Sequence, residues 1–463
     1  MTRASEPYDV AVVGAGVVGA AVARELAAHG VRVAVLDAAD DVCEGTSKAN
    51  TAILHTGFDA PVGSLEAELV RRGYELLGSY ADAAGIAVER TGALLVAWTT
   101  EQLDALPGLA TKAEANGYRQ TRLVGADELY RHEPHLGAGA LGALEVPGES
   151  VMDPWTPVLA FATEAVRDGT ALMLGYRVET VETGADGVHR LGTARGTVIC
   201  RWLVNAAGLS ADLVDVMLGH DDVTVRPRRG ELVVFDKAAH DLVRHVLLPV
   251  PTSRGKGVLV SPTVFGNVLL GPTADDVDDR TDTASTSAGL AGLREHGRRI
   301  LPALLDEEVT AVYAGLRAAT DEPDYRIASS PDQRYVRVAG IRSTGLTASM
   351  AIAEHVADLL REAGCPLRSR HSEPPPTMPA LGERQERAYE RSDLVAADPA
   401  YGTLVCHCER VSAGELRDAL ASALPARTLD GLRRRTRAMN GRCQGFHCGA
   451  SVRALIESPD AAR

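Results

Sequence analysis

Aromatic side chains are scarce: they make up 4% of the 463 residues. A core must therefore be packed mainly from alanine, valine and leucine, within an apolar fraction of 45% that is ordinary for a globular chain. No run reaches the ~18 apolar residues of a membrane-spanning helix. The short polar stretch Met1–Pro7 lacks the pattern of a secretory signal. Surplus positive charge is missing too. A formal net charge of −14 offers no basic face to nucleic acid, yet it leaves room for a local arginine cluster that grips a small anion. The expectation is a soluble, cytoplasmic protein that reaches a membrane surface only through a partner.

Cysteine is thin over most of the chain. Cys43, Cys200 and Cys365 stand alone, while Cys406, Cys408, Cys443 and Cys448 crowd towards the C-terminus. An odd total of 7, clustered in this way, argues against a disulfide framework. It argues for a reducing compartment and one metal site.

The length suggests about three folding units, and composition divides the chain accordingly. Residues 6–364 alternate β-rich apolar runs with alanine-rich helical stretches, the pattern of an α/β protein. Strand-like runs in its middle (Ala93–Trp98, Leu232–Phe235, Gly257–Ser261, Val268–Gly271) predict an antiparallel sheet inserted into a Rossmann-like domain as a substrate cap. Residues 365–401 combine a proline-rich stretch, Ser372–Pro379, with dense charge over Glu383–Asp393 and read as a linker. Residues 402–463 form a small helical module around the cysteine cluster, with helices predicted over Glu415–Ala423 and Leu429–Ala438. Arginines crowd the second of these helices.

The first unit opens on a dinucleotide fingerprint. Tyr8–Val13 reads as a buried parallel strand, Gly14-Ala-Gly-Val-Val-Gly19 follows at once, and Val17–Ala28 has helical spacing. Val31–Leu36 is a second strand, closed by Asp37. Gly14 makes the tight turn, Gly16 admits a pyrophosphate close to the backbone, and Gly19 lets helix and strand pack closely. The helix N-terminus offers unpaired N–H groups to phosphate, and Asp37 stands ~20 residues on, where a carboxylate accepts ribose hydroxyls. By itself this motif leaves NAD and FAD both open.

Later segments bear on that choice. Gly45–Asn50, Ile53–Gly57, the small-residue strand end Trp202–Gly208 and the loop Gly340–Ser349 leading into a helix over Met350–Leu360 resemble, in order, the FAD-contacting motifs of the D-amino-acid-oxidase-like flavoproteins. The resemblance implies FAD held by Gly14, Gly16, Val18, Gly19 and Asp37, by Thr46, Ser47 and Asn50, and by Ala207, Gly208, Gly345, Leu346 and Thr347. It also implies that the last loop lies along the isoalloxazine ring.

In the C-terminal module, Cys406-x-Cys408 and Cys443-x4-Cys448 supply four thiolates on two tight loops. That suits a [2Fe–2S] cluster or a tetrahedral zinc, although zinc sites usually space their cysteine pairs more widely. The segment resembles bacterioferritin-associated-ferredoxin-like modules, which implies a [2Fe–2S] cluster on those four residues.

The order of the two units is similar to that in the catalytic subunit of anaerobic-type, FAD-dependent glycerol-3-phosphate dehydrogenases. Pro227–Glu231, Gly255–Thr263 and Tyr313–Arg317 add to the likeness. It implies oxidation of a small anionic alcohol, glycerol 3-phosphate first among them. Electrons would leave through the cluster to an accepting subunit or a quinone-linked membrane partner. His55, in a loop that the family places near the flavin, is the candidate base, since an imidazole titrates near working pH. Arg317, Lys256 and Arg342 are the candidates for the anionic group, because guanidinium matches phosphate or carboxylate with two parallel bonds. A 2-hydroxy acid or an amino acid as substrate remains an alternative, as does a non-catalytic electron-transfer subunit.

Overall fold

Tyr8–Val13 forms strand β1, and its last four residues are buried. Helix α1 spans Val17–Ala28, the predicted bounds, and Val33–Asp37 returns as β2, parallel to β1. Cover on both faces explains why these strands read as unbroken apolar runs. On its other edge β1 pairs in parallel with Gly196–Asn205, which pairs in parallel with Tyr335–Ala339. The computed structural model describes residues 6–251, 257–370 and 373–457, and among these the sheet has eight strands. Its register sets Val13 beside Asn205, and Asn205 beside Arg337. Three distant glycine-rich segments therefore emerge side by side at the carboxyl ends of the strands, where open α/β sheets bind their ligands.

Helix α2, Leu65–Ala84, starts at Ser64, whose hydroxyl accepts the Ala67 N–H at 3.1 Å. Both α1 and α2 pack on the helix Gly345–Glu362. That helix begins at Gly345 and not at Met350 as the sequence suggested. Ala348 and Ser349 are fully buried, so tertiary packing draws a Gly–Thr–Ser stretch of weak helical preference into the first turns.

A second sheet has nine strands among the described residues. Its pairings are antiparallel except that Val246–Pro249 runs parallel to Ala93–Ala97, a join that refines the expectation of a purely antiparallel cap. The longest pairing, Val225–Phe235 with Val309–Thr320, sets Arg228 directly opposite Arg317.

The stretch expected as a linker is anchored. Leu381 is buried, the Met378 N–H donates to Ala84 O at 2.8 Å, and the Glu383 N–H donates to Val264 O at 2.7 Å. Its charges pair off: Glu383 meets Lys237 at 2.7 Å, and buried Arg387 meets Glu415 at 2.8 Å. Composition had signalled solvation, but pairing removed the need for it.

The C-terminal module has helices Ala413–Ala421, Leu429–Thr436 and Gly449–Glu457. Ser412 and Glu415 form a capping box that starts the first of these helices ahead of the predicted Glu415. The crowded arginines of the second dock the module on the larger unit. Arg435 grips Asp41 with two bonds of 2.7 and 2.9 Å, and Arg434 reaches Glu44 at 2.6 Å. Arg437 joins Glu409 at 3.0 Å and lies 3.7 Å over the Phe265 ring. Removing one partner of a buried ion pair costs about 3–5 kcal/mol. Asp41→Ala is therefore expected to undock the module, seen as a separate low-temperature calorimetric transition and new tryptic cuts near Arg434 and Arg435. A single unchanged transition would show that docking does not depend on this pair.

Candidate active site

The strand ends border one cavity of about 1110 Å³, larger than most small-molecule pockets. One end is built by the turn after β1. Gly14 has φ +106°, and a Cβ there would lie 2.4 Å from Ala206 O. At Gly19 the approach is closer still, since a Cβ would fall 1.9 Å from Gly14 O. Together these positions lay the start of α1 against the loop after Gly196–Asn205. Ser47 Oγ accepts the Val17 N–H at 2.9 Å, placing a hydroxyl at the α1 N-terminus.

Asp37 lines the cavity, with Oδ2 accepting the Ala15 N–H at 2.6 Å and Oδ1 the Ala39 N–H at 2.7 Å. Burial raises its pKa above the usual carboxylate value in spite of these bonds. Gly16, Val18, Thr46, Ser47, Asn50, Ala207, Gly208, Gly345 and Leu346 line the same cavity. Thr46 Oγ1 donates to Leu316 O at 2.6 Å, tying its loop to the strand of Arg317. Asn50 closes its own turn, its Nδ2 donating to Ser47 O and its Oδ1 accepting the Ala52 N–H. Thr347 is fully buried behind the cavity wall, where its hydroxyl accepts the His55 N–H at 3.0 Å.

His55 also lines the cavity. Its Nδ1 lies 3.0 Å from Glu149 Oε2, while Glu149 Oε1 accepts both the Thr56 N–H and the Thr56 hydroxyl. Glu149 has no solvent exposure. A carboxylate in this position takes a proton at Nδ1 and leaves Nε2 as the basic nitrogen. No sequence signal marked Glu149, which follows Pro147 and Gly148 in an ordinary turn.

Of the three basic candidates, Lys256 lies outside the described residues. Arg342 lines the cavity but pairs with Glu66 at 2.9 Å and donates to Pro323 O. Glu66 also accepts the Thr344 hydroxyl at 2.7 Å, so Arg342 belongs to a network that holds its own loop. Arg317 differs. Among the described residues its guanidinium donates only to Thr273 O, at 3.3 and 3.4 Å, and meets no carboxylate. Burial, and then the charge of Arg228 opposite, lowers its pKa. Arg228 and Arg280, also on the cavity, are already paired with Asp276 and Asp212.

In the C-terminal module the four cysteine sulfurs fall into two neighbouring pairs, Cys406 beside Cys448 and Cys408 beside Cys443. No three of them gather within 4.8 Å of one another. Two pairs suit two irons better than one tetrahedral ion. The Cys443 thiol is pulled below its ordinary pKa, chiefly by the His447 N–H, with the Cys408 thiol and the Gly445 and Phe446 N–H groups adding to it. Burial pushes Cys448 up to about 12. A Cβ on Gly441 would sit 2.3 Å from Cys408 Cβ, so only glycine lets the two loops close. The residues present fit a two-iron cluster.

The family described as FAD dependent oxidoreductase matches residues 9–359. The chain belongs to that family. The BFD-like [2Fe-2S] binding domain matches residues 404–458. A glycerol 3-phosphate dehydrogenase of Caloramator mitchellensis is 34% identical over 452 residues, covering 97% of this chain and 94% of that protein. The solved L-alpha-glycerophosphate oxidase of Mycoplasma pneumoniae with FAD bound superposes with a TM-score of 0.73 at 28% identity, over 77% of this chain and 95% of its own. Human mitochondrial L-2-hydroxyglutarate dehydrogenase is 28% identical over 59% of this chain and 62% of its own length. The chain is thus a flavoenzyme of this family, with FAD in the larger unit and a [2Fe–2S] cluster in the smaller. No helix among the described residues is long and apolar enough to cross a membrane.

Proposed function

We propose that this chain oxidises glycerol 3-phosphate to dihydroxyacetone phosphate and passes the electrons out through its cluster to a separate acceptor, an accepting subunit or a quinone-linked membrane partner. What carries the reading is the similarity to a glycerol 3-phosphate dehydrogenase over 97% of the chain, both units included. The L-2-hydroxyglutarate dehydrogenase likeness spans 59%. The same reading divides the chain into a flavin unit over 6–364, a connecting strap over 365–401 and a cluster unit over 402–463.

In this proposal Gly14, Gly16, Val18, Gly19 and Asp37 hold the dinucleotide part of FAD. Thr46, Ser47, Asn50, Ala207, Gly208, Gly345 and Leu346 complete the contacts, and Thr347 acts by fixing the His55 backbone. Cys406, Cys408, Cys443 and Cys448 hold the cluster. FAD held there would supply the hydride acceptor for the substrate carbon, and a cluster on the four cysteines would supply a one-electron exit. His55 receives the hydroxyl proton at Nε2 while Glu149 holds Nδ1–H and offsets the charge that forms on the ring. Arg317 binds the phosphate, and an arriving anion relieves the unfavourable proximity of Arg228. Arg342 holds its loop through Glu66 and does not grip substrate.

Anaerobic addition of glycerol 3-phosphate is expected to bleach the flavin band, with L-2-hydroxyglutarate leaving it intact and glycerol bleaching it only slowly. An unbleached spectrum would rule the reading out, and bleaching by the hydroxy acid alone would move the substrate to that class. Gly19→Ala is expected to give protein without flavin absorbance, because its Cβ cannot share space with Gly14 O. Full flavin occupancy in that variant would mean that the turn relaxes without losing its ligand.

A further inference from the structure

We propose a divalent-cation site of zinc type, built from His132, Glu145 and His245 on the second sheet and separate from the cavity. Three chain segments converge there. His132 ends the helix Ala126–His132, Glu145 lies on the strand Gly142–Val146, and His245 directly precedes the strand Val246–Pro249. One ligand atom from each falls within 4.8 Å of the others, and all three residues are half-buried. None lines the flavin cavity.

Two further observations turn the cluster into a site. His245 is oriented by a fully buried carboxylate: Glu133 Oε1 lies 2.7 Å from His245 Nδ1 and accepts the His245 N–H at 2.8 Å. The Nδ1 proton is thereby assigned, and Nε2 is left as a lone pair, the arrangement that a carboxylate gives a metal-binding imidazole. His132 Nδ1 is buried and has no hydrogen-bond partner among the described residues, a cost that a folded protein normally avoids. The two rings lie nearly parallel, 14° apart with centroids at 5.8 Å.

Glu145 supplies the third ligand. It already meets Arg122 at 2.6 Å, and Arg122 is in turn held by Glu128 at 2.8 Å. A carboxylate has lone pairs for both a guanidinium and a cation. Two imidazoles and one carboxylate make the donor set that proteins use for zinc with an open fourth position, at ~2.0–2.2 Å from each donor. Thiolate is absent from the set, which separates this site from the cysteine module in kind as well as in place. A cation here would pin the end of the helix Ala126–His132 to two strands of the sheet.

The test uses the holoprotein with its cluster intact. After mild chelation and dialysis against zinc, metal analysis is expected to find one zinc per chain with iron unchanged. Zinc-edge absorption spectroscopy should show imidazole scattering and no sulfur. His132→Ala and Glu145→Gln should each lose that equivalent, and Glu133→Gln should weaken zinc binding by roughly 10- to 100-fold, as loss of an orienting carboxylate does. Sulfur around the zinc, absence of the extra equivalent in the parent, or its retention in Glu145→Gln would each overturn the proposal. Glu145→Gln also covers the case in which His132→Ala fails to fold.

Discussion

His55→Asn is expected to keep its flavin and lose about 10²- to 10⁴-fold in kcat for glycerol 3-phosphate, the range associated with removing a positioned general base. Asparagine can keep the contact to Glu149 but offers no basic nitrogen to the substrate hydroxyl. The kcat/KM profile of the parent should rise with pH as the imidazole of the free enzyme loses its proton, and in His55→Asn that limb should disappear. Glu149→Gln provides the control. It preserves shape and removes the negative charge that stabilises the protonated ring, so it should show an intermediate loss with the limb moved to lower pH. Turnover of His55→Asn close to that of the parent, with the limb still present, would place the base elsewhere in the cavity.

The separation between what was legible in the sequence and what was not follows chain distance. Gly14, Gly16, Gly19 and Asp37 could be read directly, because a βαβ turn is local: Gly19 answers Gly14 O and Gly16 the Ser47 hydroxyl, although the approach of Ala206 to Gly14 comes from far along the chain. The four cysteines were legible as two short pairs. Arg317 could be preferred for its place after a glycine-led strand end in the resembled cap region, but not for its surroundings, since Arg228 opposite it and Thr273 beside it are brought there by the fold. Conversely, Glu66, nearly three hundred residues before Arg342, gives that arginine a partner that no spacing rule could reveal. Glu149 and Asp41 were missed for the same reason: a lone acidic residue in a turn carries no pattern, and each gains its role from a partner brought in by the fold. Over residues 365–401 the composition misled about solvation, not about the connecting role. Proline and charge are solvating when alone, but Lys237 and Glu415 come from other units to meet them.

The module's position bears on how reduced flavin is reoxidised. Arg437 lies between Glu409, next to Cys408, and the stacked rings of Phe265 and Trp155, 5.7 Å apart. Trp155 donates its Nε1–H to Lys48 O, in the 3₁₀ turn that borders the cavity. The docking surface is therefore continuous from the cysteine loop to the cavity wall. A tethered module free to rotate would not maintain such a contact, whereas the Asp41 clamp does.

Arg317→Ala is expected to cut kcat/KM for glycerol 3-phosphate by roughly 30- to 5000-fold, the equivalent of about 2–5 kcal/mol for truncating one partner of a desolvated charge pair. Arg317→Lys should recover part of this, since an ammonium supplies charge without the two-pronged geometry. Glycerol, which has no phosphate, should react slowly and equally well with parent and variants. Stability separates this role from a structural one. The guanidinium is largely buried, faces Arg228 and, among the described residues, bonds only to a carbonyl, so without an anion its charge is a burden on the fold. Arg317→Ala should accordingly melt no lower than the parent in phosphate-free buffer, and inorganic phosphate should raise the melting temperature of the parent alone. If the variant is instead destabilised without phosphate and gains as much as the parent from its addition, Arg317 is a strut for the Thr273 turn and the phosphate binds elsewhere.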